Sequence, residues 1–554
     1  MIQRRKKKKI VLYQPQQVDA ALGRESSKDM LPLESMAIAA WPLKDGFEVV
    51  IIDGSIEADR EHAHRKVVEA CEDAVLFGST GILGFMVKDS YQCAEKVRAA
   101  YPDLTMVVGG WFASVKPELE LRDGVYDAVV CGQGELPFRM LAEAVWAGEP
   151  IDEIPSLALW RDGAVRFNPR HPVVGWDQLL DMPWQLIDIE PYRRHQLRPD
   201  SHRDILRMPT PRWIGDRKPY FGVTYFSSFG CPEPCKFCCS PFVTSRRWKA
   251  MPASRMLDDI QGMYERWGGF DMLRFHDANF GVMEKRVKEF CGGLIDRGIR
   301  IAWNSFIETH SILHFKPSTL DLMAESGMNV AEIGAETGTD EFMKEWVGKP
   351  IKGLDNVEAT KIMNDRGMDC SVTYIIGYPH EERDNMLATL DQARMCNAVA
   401  PESCPTVWPY RPIPGTEMWD EAIKLGFQEP EHIFDWGSLG EYHLHETWPG
   451  RIPEDVARVR KLLCHYQTLA RGLARKKYGF WEKLARWRLK SGNYTLGRVD
   501  NKLFDIYLKL SRRFFPEEEI SRQWIDPGHK TGTGANAMAK GIDQERTVSR
   551  STLG

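Results

Sequence analysis

Four cysteines lie within nine residues of this chain, and their spacing limits what the surrounding fold can hold. The segment FGCPEPCKFCCSP at residues 229–241 places Cys231, Cys235 and Cys238 in a Cys-x3-Cys-x2-Cys pattern, with Cys239 directly after them. Disulfides between such close neighbours are often strained, so a metal centre is the more reasonable interpretation. The other eight cysteines are isolated and are interpreted as small buried hydrophobic residues.

Zinc and iron-sulfur clusters both use cysteine ligands, and the number of ligands separates them. A structural zinc site needs four ligands and usually takes a second pair from farther along the chain, yet no second Cys-x2-Cys occurs here. Three closely spaced thiolates instead suit an iron-sulfur cluster, with one iron left open for a substrate. Adjacent thiolates point in different directions, so Cys239 is interpreted as a packing residue, with a role as fourth ligand as the alternative.

Composition indicates several domains and gives no sign of secretion. With 554 residues the chain is too long for one ordinary core, and its 43% apolar and 27% charged residues are typical of a soluble globular protein. The formal net charge of -5 is small for this length, so nucleic acid is not expected as a partner. We find neither a secretory signal nor an apolar run long enough to span a membrane, which predicts a cytoplasmic location.

Alternating strand and helix patterns follow the cysteines at intervals of roughly 30 residues. Repeated units of this kind build a parallel barrel or an open barrel, whose active site lies at the carboxyl ends of the strands. Most of the predicted strands end in polar or glycine residues, as that rule requires. The predicted strand segments are 272–280, 301–310, 330–338, 370–379 and 404–416, and a helix is predicted at 284–297.

The N-terminal part of the chain has the pattern of a doubly wound parallel sheet. Short apolar runs, four of which end in turn or glycine segments, are separated by helical stretches and indicate strands buried on both faces. Ligands of such sheets bind where loops leave the strand carboxyl ends. No GxGxxG follows the first strand, so a nicotinamide or flavin dinucleotide is not expected. The five runs lie at 10–13, 49–52, 74–77, 106–108 and 128–130.

The cysteine pattern, with Phe237 directly before the third cysteine, resembles the signature of the radical S-adenosylmethionine (SAM) enzymes. In that family three cysteines hold a [4Fe-4S] cluster, SAM chelates the open iron, and an electron from the cluster cleaves SAM to a 5'-deoxyadenosyl radical. The resemblance implies that Cys231, Cys235 and Cys238 are the cluster ligands.

Several later segments are similar to segments of this family that contact SAM. HDAN at 276–279 resembles the second-strand segment near the methionine end of SAM, and GAETG at 334–338 resembles the segment whose acid contacts the cofactor. IGYP at 376–379 and RPIPGT at 411–416 resemble the last two barrel strands. Ordinary turn chemistry, and a solvated loop acid at 336, are the alternatives. The resemblance implies cofactor contacts by Phe237, Asp277, Asn279, Glu336 and Gly377.

Segments of the N-terminal part resemble the cobalamin-binding domain of B12-dependent radical SAM enzymes. They are LPLESMAIAAWPLKDGFEVVIID at 31–53, VVGGWFAS near 107 and VVCGQGE near 129. The loop QPQQVD at 14–19 lacks the Asp-x-His-x-x-Gly motif of the cobalamin mutases, so no histidine ligand to cobalt is expected. Without the resemblance, the glycines would be interpreted as strand-end turns. Small residues would let the macrocycle and its nucleotide tail approach the backbone; these residues are Gly78, Ser79, Thr80, Gly109, Gly110, Gly132 and Gly134.

The predicted fold class is α/β. A Rossmann-like cobalamin domain with a doubly wound parallel sheet is expected first, then a radical SAM partial (β/α)6 barrel, then a helical C-terminal region. The predicted boundaries are 1–145 for the cobalamin domain, 146–215 for a connecting segment, 216–430 for the barrel, 431–520 for the helical domain and 521–554 for a disordered tail.

The predicted C-terminal helices, at 456–477, 480–489 and 499–514, are dense in basic and aromatic residues. Helices of this composition can lie on a membrane surface or recognise an anionic or hydrophobic substrate. We favour an ordinary cap that packs its aromatic side chains on the barrel, with peripheral membrane contact as the alternative.

These resemblances imply a cobalamin-dependent radical SAM enzyme, and most simply a C-methyltransferase that acts on an unactivated carbon through a 5'-deoxyadenosyl radical and methylcobalamin. Oxidative cyclisation or ring rearrangement without net methylation stays open, and so does a non-catalytic iron-sulfur electron carrier. A small-molecule or lipid substrate and an external electron donor of the flavodoxin or ferredoxin type are expected. No catalytic acid, base or nucleophile is predicted, because the cofactors carry the difficult steps.

Overall fold

The protein is described by a computed structural model over residues 7–17, 30–198, 214, 219–439, 448–470 and 479–514. It contains two large sheets, one of seven strands and one of six, with helices packed on both. The predicted disordered tail at 521–554 lies outside the described residues, as do the last residues of the helix predicted at 456–477. In the described part of the chain, no helix combines the length and the apolar character that crossing a membrane requires.

The first sheet has the strand order β2-β1-β3-β4-β5-β6-β7. Its first five strands run parallel, and the last two are antiparallel to their neighbours. The order reverses at β1, so the edge between β1 and β3 is the topological switch point at which ligands of such sheets bind. The strands are β1 (Lys9–Gln14), β2 (Glu48–Asp53), β3 (Leu76–Thr80), β4 (Thr105–Gly109), β5 (Ala128–Val130), β6 (Leu157–Arg161) and β7 (Ala164–Phe167).

Helices cover both faces of this sheet because its central strands are apolar on both sides. On β1, Ile10 and Leu12 pack in a core with α1 and α6, whereas Val11 and Tyr13 pack in a core with α2 and α3. This alternation is the period of two that a strand imposes. The helices of this part are α1 (Leu33–Lys44), α2 (Arg60–Ala70), α3 (Phe85–Ala100), α4 (Trp111–Val115), α5 (Pro117–Leu121) and α6 (Glu135–Ala147).

The first sheet extends beyond residue 145, where the connecting segment is predicted to begin. The hairpin of β6 and β7 turns at Asp162 and Gly163, whose positive φ values of 51° and 80° suit a two-residue hairpin turn. After the hairpin, α7 (Glu190–Gln196) links the two sheets. The Tyr192 hydroxyl donates to Asp53 at the end of β2 over 2.6 Å, and Gln196 exchanges two hydrogen bonds with Gly222 in the second sheet.

The second sheet is an open barrel of six parallel strands in the order β15-β14-β13-β12-β11-β8. Strand β8, directly before the cysteines, was not among the predicted strands. A two-stranded sheet of β9 and β10 flanks the cysteine loop. The strands are β8 (Gly222–Tyr225), β9 (Ser228–Phe229), β10 (Lys249–Ala250), β11 (Met272–Phe275), β12 (Ala302–Phe306), β13 (Met328–Glu336), β14 (Asp369–Ile376) and β15 (Cys404–Pro409).

Helices pack outside the barrel and continue into a C-terminal cap, so the predicted fold class is confirmed. Buried residues of α18, α19 and α20 share one core with the barrel helices, whereas α16 and α17 pack against the first sheet's helices. A π-helix at Met343–Val347 follows α13. The helices are α8 (Ser240–Thr244), α9 (Ala253–Arg266), α10 (Glu284–Asp296), α11 (Thr309–His314), α12 (Pro317–Glu325), α13 (Asp340–Phe342), α14 (Gly353–Asp365), α15 (Arg383–Val399), α16 (Glu417–Lys424), α17 (Ile433–Leu439), α18 (Glu454–Ala470), α19 (Phe480–Ser491) and α20 (Gly497–Phe514).

Candidate functional site

A cavity of about 200 Å³ lies at the carboxyl ends of β1, β3, β4 and β5. It is therefore at the switch point of the first sheet. Helix α1 closes it from one side through Glu34, Ser35 and Ile38. All seven residues predicted to contact cobalamin line this one cavity: Gly78, Ser79, Thr80, Gly109, Gly110, Gly132 and Gly134.

Glycine is required at two of these positions because there is no room for a side chain. A Cβ atom on Gly78 would lie 2.8 Å from the Leu12 side chain, and one on Gly110 would lie 2.6 Å from the carbonyl oxygen of Gly81. Gly110 also has a φ of 95°, which other residues rarely adopt. The cavity is therefore bounded by bare backbone, as close contact with a large flat ligand requires.

The loop after β1 is held in place by a buried carboxylate on α3. Asp89 on α3 accepts hydrogen bonds from the Tyr13 hydroxyl over 2.6 Å, from the Gln16 backbone nitrogen over 2.8 Å and from the His64 ring over 2.9 Å. The Gln16 side chain also donates to the Gly54 carbonyl over 3.0 Å. The described part of the loop contains no histidine, and its last two predicted residues, 18 and 19, lie outside the described part.

The opposite wall of the cavity comes from the second sheet. Phe226 and Phe229, which follow β8, line the cavity together with the glycines of the first sheet. Cys231 is only two residues beyond Phe229. The cavity and the cysteine loop are therefore neighbours, although the glycines and the cysteines lie far apart in the sequence.

The cysteine loop is buried and tightly held. Cys231 and Cys235 are 8% and 7% exposed. Gly230 turns the chain into the loop with a φ of 81°, where any side chain would collide with the Arg247 carbonyl. The Lys236 backbone nitrogen donates to the Val347 carbonyl over 3.0 Å, which ties the loop to the π-helix.

Burial makes these thiols poor acids without a nearby cation. It raises the pKa of Cys231 to about 12, and it also raises the pKa of Cys235. Iron supplies the positive charge that would hold them as thiolates, so the donor set fits a cluster. Over the described residues, no three His, Cys, Asp or Glu side chains converge on a point that could hold one metal ion. A cubane does not require such convergence, because each thiolate binds a different iron.

Cys239 is engaged with its neighbour. A hydrogen bond between the two thiols raises the pKa of Cys238 well above its usual range and lowers the pKa of Cys239. The Ser240 backbone nitrogen donates to the Cys238 sulfur over 3.4 Å. In this arrangement the Cys238 thiol donates to Cys239, so the hydrogen bond favours a charge on Cys239 and not on Cys238.

Asp277 is fully buried and holds in place the two residues that lead into the cysteine loop. Its carboxylate accepts from the Ser227 backbone nitrogen over 2.6 Å, from the Ser227 hydroxyl over 2.7 Å and from the Ser228 hydroxyl over 2.6 Å. These two serines lie directly before the loop. Both carboxylate oxygens are thus occupied by protein donors, and the carboxylate positions the loop.

Unpartnered polar atoms remain buried at the carboxyl ends of the barrel strands. Near β11 they are Nδ2 of Asn279 and Nε2 of His276, and after β14 the hydroxyl of Tyr378. Burial lowers the pKa of His276 to about 3, so the ring is neutral. Buried polar groups are normally hydrogen-bonded. These three atoms therefore fit a polar ligand such as SAM, whose amino, carboxylate and hydroxyl groups could satisfy them.

Glu336 ends β13 inside a buried ion network that was not predicted. The Lys349 ammonium donates to Glu336 over 2.7 Å, to Glu308 over 2.9 Å and to the Gly334 carbonyl over 2.8 Å. Burial lowers the pKa of Lys349, but the two carboxylates outweigh this effect and raise it well above its usual range. Glu336 is therefore a buried, paired acid and not the solvated loop acid of the alternative interpretation.

An aromatic cluster joins the cysteine loop to the end of β14. The Phe237 ring lies 5.8 Å from the Tyr378 ring, and Tyr378 lies 5.1 Å from Tyr410. Gly377 has a φ of 85°, and its backbone nitrogen donates to Glu381 over 2.6 Å. Phe237 and Gly377, both predicted to contact the cofactor, are thereby brought to one side of the loop.

Comparisons with known proteins agree with this arrangement. Residues 225–393 match the radical SAM superfamily. The chain is 26% identical over 416 residues to an uncharacterised methyltransferase of Pyrococcus horikoshii, across 75% of this chain and 83% of that protein. The fold is similar to that of TsrM, a radical SAM methyltransferase of Kitasatospora setae solved with cobalamin and a [4Fe-4S] cluster. This match covers 88% of this chain and 99% of TsrM, with a TM-score of 0.60 and 15% identity.

A second fold match is the cobalamin-dependent SAM radical enzyme OxsB, solved with aqua-cobalamin bound. It covers 91% of this chain and 75% of OxsB, with a TM-score of 0.61 and 14% identity. At such low identity these two structures establish the fold alone. The order of a Rossmann-like sheet, an open barrel and a helical C-terminal region is thereby confirmed.

Proposed function

We propose that this chain, a member of the cobalamin-dependent radical SAM enzymes, transfers a methyl group to an unactivated carbon of its substrate. When bound, the cluster and SAM would supply a carbon-centred radical and cobalamin would supply the methyl group. The protein's own contribution is to hold the two cofactors next to each other and to exclude water.

The shared wall between the cavity and the cysteine loop carries this proposal. Phe226 and Phe229 line the cavity of the first sheet, and Cys231 follows them at once. A substrate carbon that reacts with both cofactors in turn must lie between them. Two separate sites on distant surfaces would not support that reaction, whereas neighbouring sites do.

We assign the cluster to Cys231, Cys235 and Cys238, which one buried loop supplies. Asn279 and Glu336 are the proposed hydrogen-bonding partners of SAM, since a buried amide nitrogen lacks a partner and a buried carboxylate is a strong acceptor. Lys349 would keep Glu336 ionised and correctly placed. The seven small residues of the cavity are the proposed cobalamin contacts, and none of these side chains has to act as an acid, base or nucleophile.

The exposed side of the cysteine loop suggests where an electron donor docks. Arg246, Arg247 and Lys249 are all exposed, and the Arg246 guanidinium donates to the Pro232 carbonyl within the loop over 3.4 Å. A positive surface attracts an acidic partner and speeds its encounter. We infer that a carrier of the flavodoxin or ferredoxin type reduces the cluster from this side.

The test is anaerobic reconstitution with iron, sulfide and cobalamin, followed by incubation with dithionite and SAM that carries a deuterated methyl group. Release of 5'-deoxyadenosine would support radical chemistry, and label in a product from an extract of the source cells would support methylation. Release of 5'-deoxyadenosine with an altered but unlabelled product would indicate cyclisation or rearrangement. An electron carrier would cleave no SAM. A protein with alanine at Cys235 is the matched control.

A further inference from the structure

An apolar stripe lies on the outer side of α20 and continues to the residue just before it. Leu496, with a φ of 65°, lies just before the first turn, and Val499, Leu503 and Ile506 follow at intervals of four and three residues, which places these three on one side of the helix. Their exposed fractions are 66%, 46%, 50% and 52%. Surface hydrophobic residues are normal singly, but a continuous stripe indicates an interaction site.

The neighbouring helix α19 adds two large exposed side chains. Phe480 and Trp487 are 69% and 50% exposed. The inner sides of the two helices pack on each other through Trp481, whose ring lies 5.4 Å from the buried ring of Phe504. The predicted cap is therefore present, but its aromatic packing buries only the inner sides of the two helices. Phe480 and Trp487 stay exposed on the outside.

The part of the chain that contains α19 and α20 is also strongly basic. Residues 471–513 contain thirteen Lys and Arg against three Asp and Glu, although the whole chain has a net charge of -5. Arg498 and Lys502 are exposed along one border of the apolar stripe, and Lys483 is exposed on α19. An apolar stripe bordered by cations is the pattern of a helix that lies in the interface of a lipid bilayer.

We propose that α19 and α20 form a docking surface for an anionic lipid membrane. A second copy of the chain would bring two strongly positive surfaces together, which charge repulsion opposes. Anionic headgroups instead complement the charge of the Lys and Arg side chains, while the exposed Leu, Val, Ile, Phe and Trp side chains enter the acyl boundary.

The surface is fixed to the barrel, so membrane contact would orient the whole enzyme. Arg394 on α15 donates to the Leu489 carbonyl over 2.8 Å at the end of α19. Asp500 on α20 accepts from Tyr466 on α18 over 2.7 Å and from Arg488 on α19 over 2.9 Å. These bonds tie both helices to the rest of the cap without using the exposed stripe.

The test is co-sedimentation of the full chain with vesicles of phosphatidylcholine alone or with added phosphatidylglycerol. The full chain should bind the anionic vesicles, bind the neutral ones weakly, and dissociate as salt is raised. The double substitution Leu496→Gln and Leu503→Gln should weaken binding by about tenfold. Lys483→Glu with Lys502→Glu should weaken binding mainly at low salt. SAM cleavage should stay unchanged in both variants, because neither touches the cofactor residues.

Matched controls use the same chemistry elsewhere on the surface. Phe167→Gln with Leu354→Gln removes two side chains that are 61% and 63% exposed, and Lys285→Glu with Lys288→Glu reverses two exposed charges on α10. Neither should change vesicle binding. The proposal is overturned if the full chain binds neither type of vesicle or if the controls lose binding equally. A dimer in solution that the double Gln substitution in α20 separates would assign the stripe to a second copy instead.

Discussion

Lys349 donates a hydrogen bond of 2.7 Å to Glu336, and the two charges meet in a part of the barrel where both side chains are buried. Glu336 adopts a φ of 61°, which is unusual for a residue other than glycine. The same ammonium holds Glu308. A carboxylate on an unusual backbone conformation and a buried cation are thus held together at the end of β13, next to the cysteine loop.

Replacing Lys349 with methionine should remove SAM cleavage and destabilise the fold. The substitution leaves the buried Glu336 and the partly buried Glu308 without a cation, which costs about 3–5 kcal/mol. Adding Glu336→Gln should restore part of this stability, because one of the two charges is then absent. Thermal unfolding and 5'-deoxyadenosine release check the two effects separately. The exposed Lys344→Met is the control, and an unchanged Lys349→Met protein would disprove the role of the network.

Alanine at Cys231, Cys235 or Cys238 should abolish the bound cluster, whereas Cys239→Ala should retain it. The first three are the proposed ligands, and the fourth is hydrogen-bonded to the thiol of Cys238. Iron and sulfide content after anaerobic reconstitution gives the result. Loss of iron in the Cys239 variant alone would move the ligand assignment to that residue.

Leucine at Gly109 should block cobalamin binding and leave the cluster intact. Gly109 lines the cavity, and among the described residues a Cβ there would have the Val130 carbonyl oxygen as its one neighbour within 4 Å, at 3.7 Å, so a larger side chain would extend into open space. We expect bound cobalamin to fall by about tenfold or more, as when a side chain occupies a ligand's volume. Gly262→Leu, at an exposed glycine of α9, is the matched control. Equal cobalamin content in both variants would place the cofactor elsewhere.

Glutamate at Arg246 and Arg247 should slow reduction of the cluster by flavodoxin but not by dithionite. The two arginines are exposed beside the cysteine loop, so reversing their charge opposes an acidic carrier, whereas a small chemical reductant needs no docking surface. The rate of 5'-deoxyadenosine release with each reductant checks this. Lys285→Glu with Lys288→Glu, in the first two turns of α10, should leave both rates unchanged. Equal slowing with both reductants would indicate damage to the loop itself.

The parts of the fold that repeat could be predicted, because strand and helix periods are local properties of the sequence. The runs at 10–13 and 128–130 lie within β1 and β5, and the helix predicted at 284–297 matches α10 to within one residue. Strand β8 was missed because it has only four residues, and these are of mixed polarity. The place of β6 and β7 on the edge of the first sheet could not be predicted, because it depends on pairing with β5.

In the candidate site, too, features that are local in the sequence could be predicted and features that depend on tertiary packing could not. Glycines and cysteines could be selected because they belong to short contiguous motifs. Lys349 could not be selected, because it lies in a loop segment without a recognisable motif. It contacts Glu308 and Glu336 only in the folded barrel. Asp89 was missed for the same reason, because it lies in the middle of α3 and reaches the loop after β1 through tertiary packing alone.

Phe226 and Phe229 belong to the barrel half of the molecule, yet they complete a pocket that the other half begins. Cobalamin bound in this cavity would therefore contact both halves of the molecule. A chain synthesised without a supply of vitamin B12 would fold with this cavity empty. We expect late addition of the vitamin to such protein to require partial separation of the halves, and co-expression with an uptake system to give far better loading.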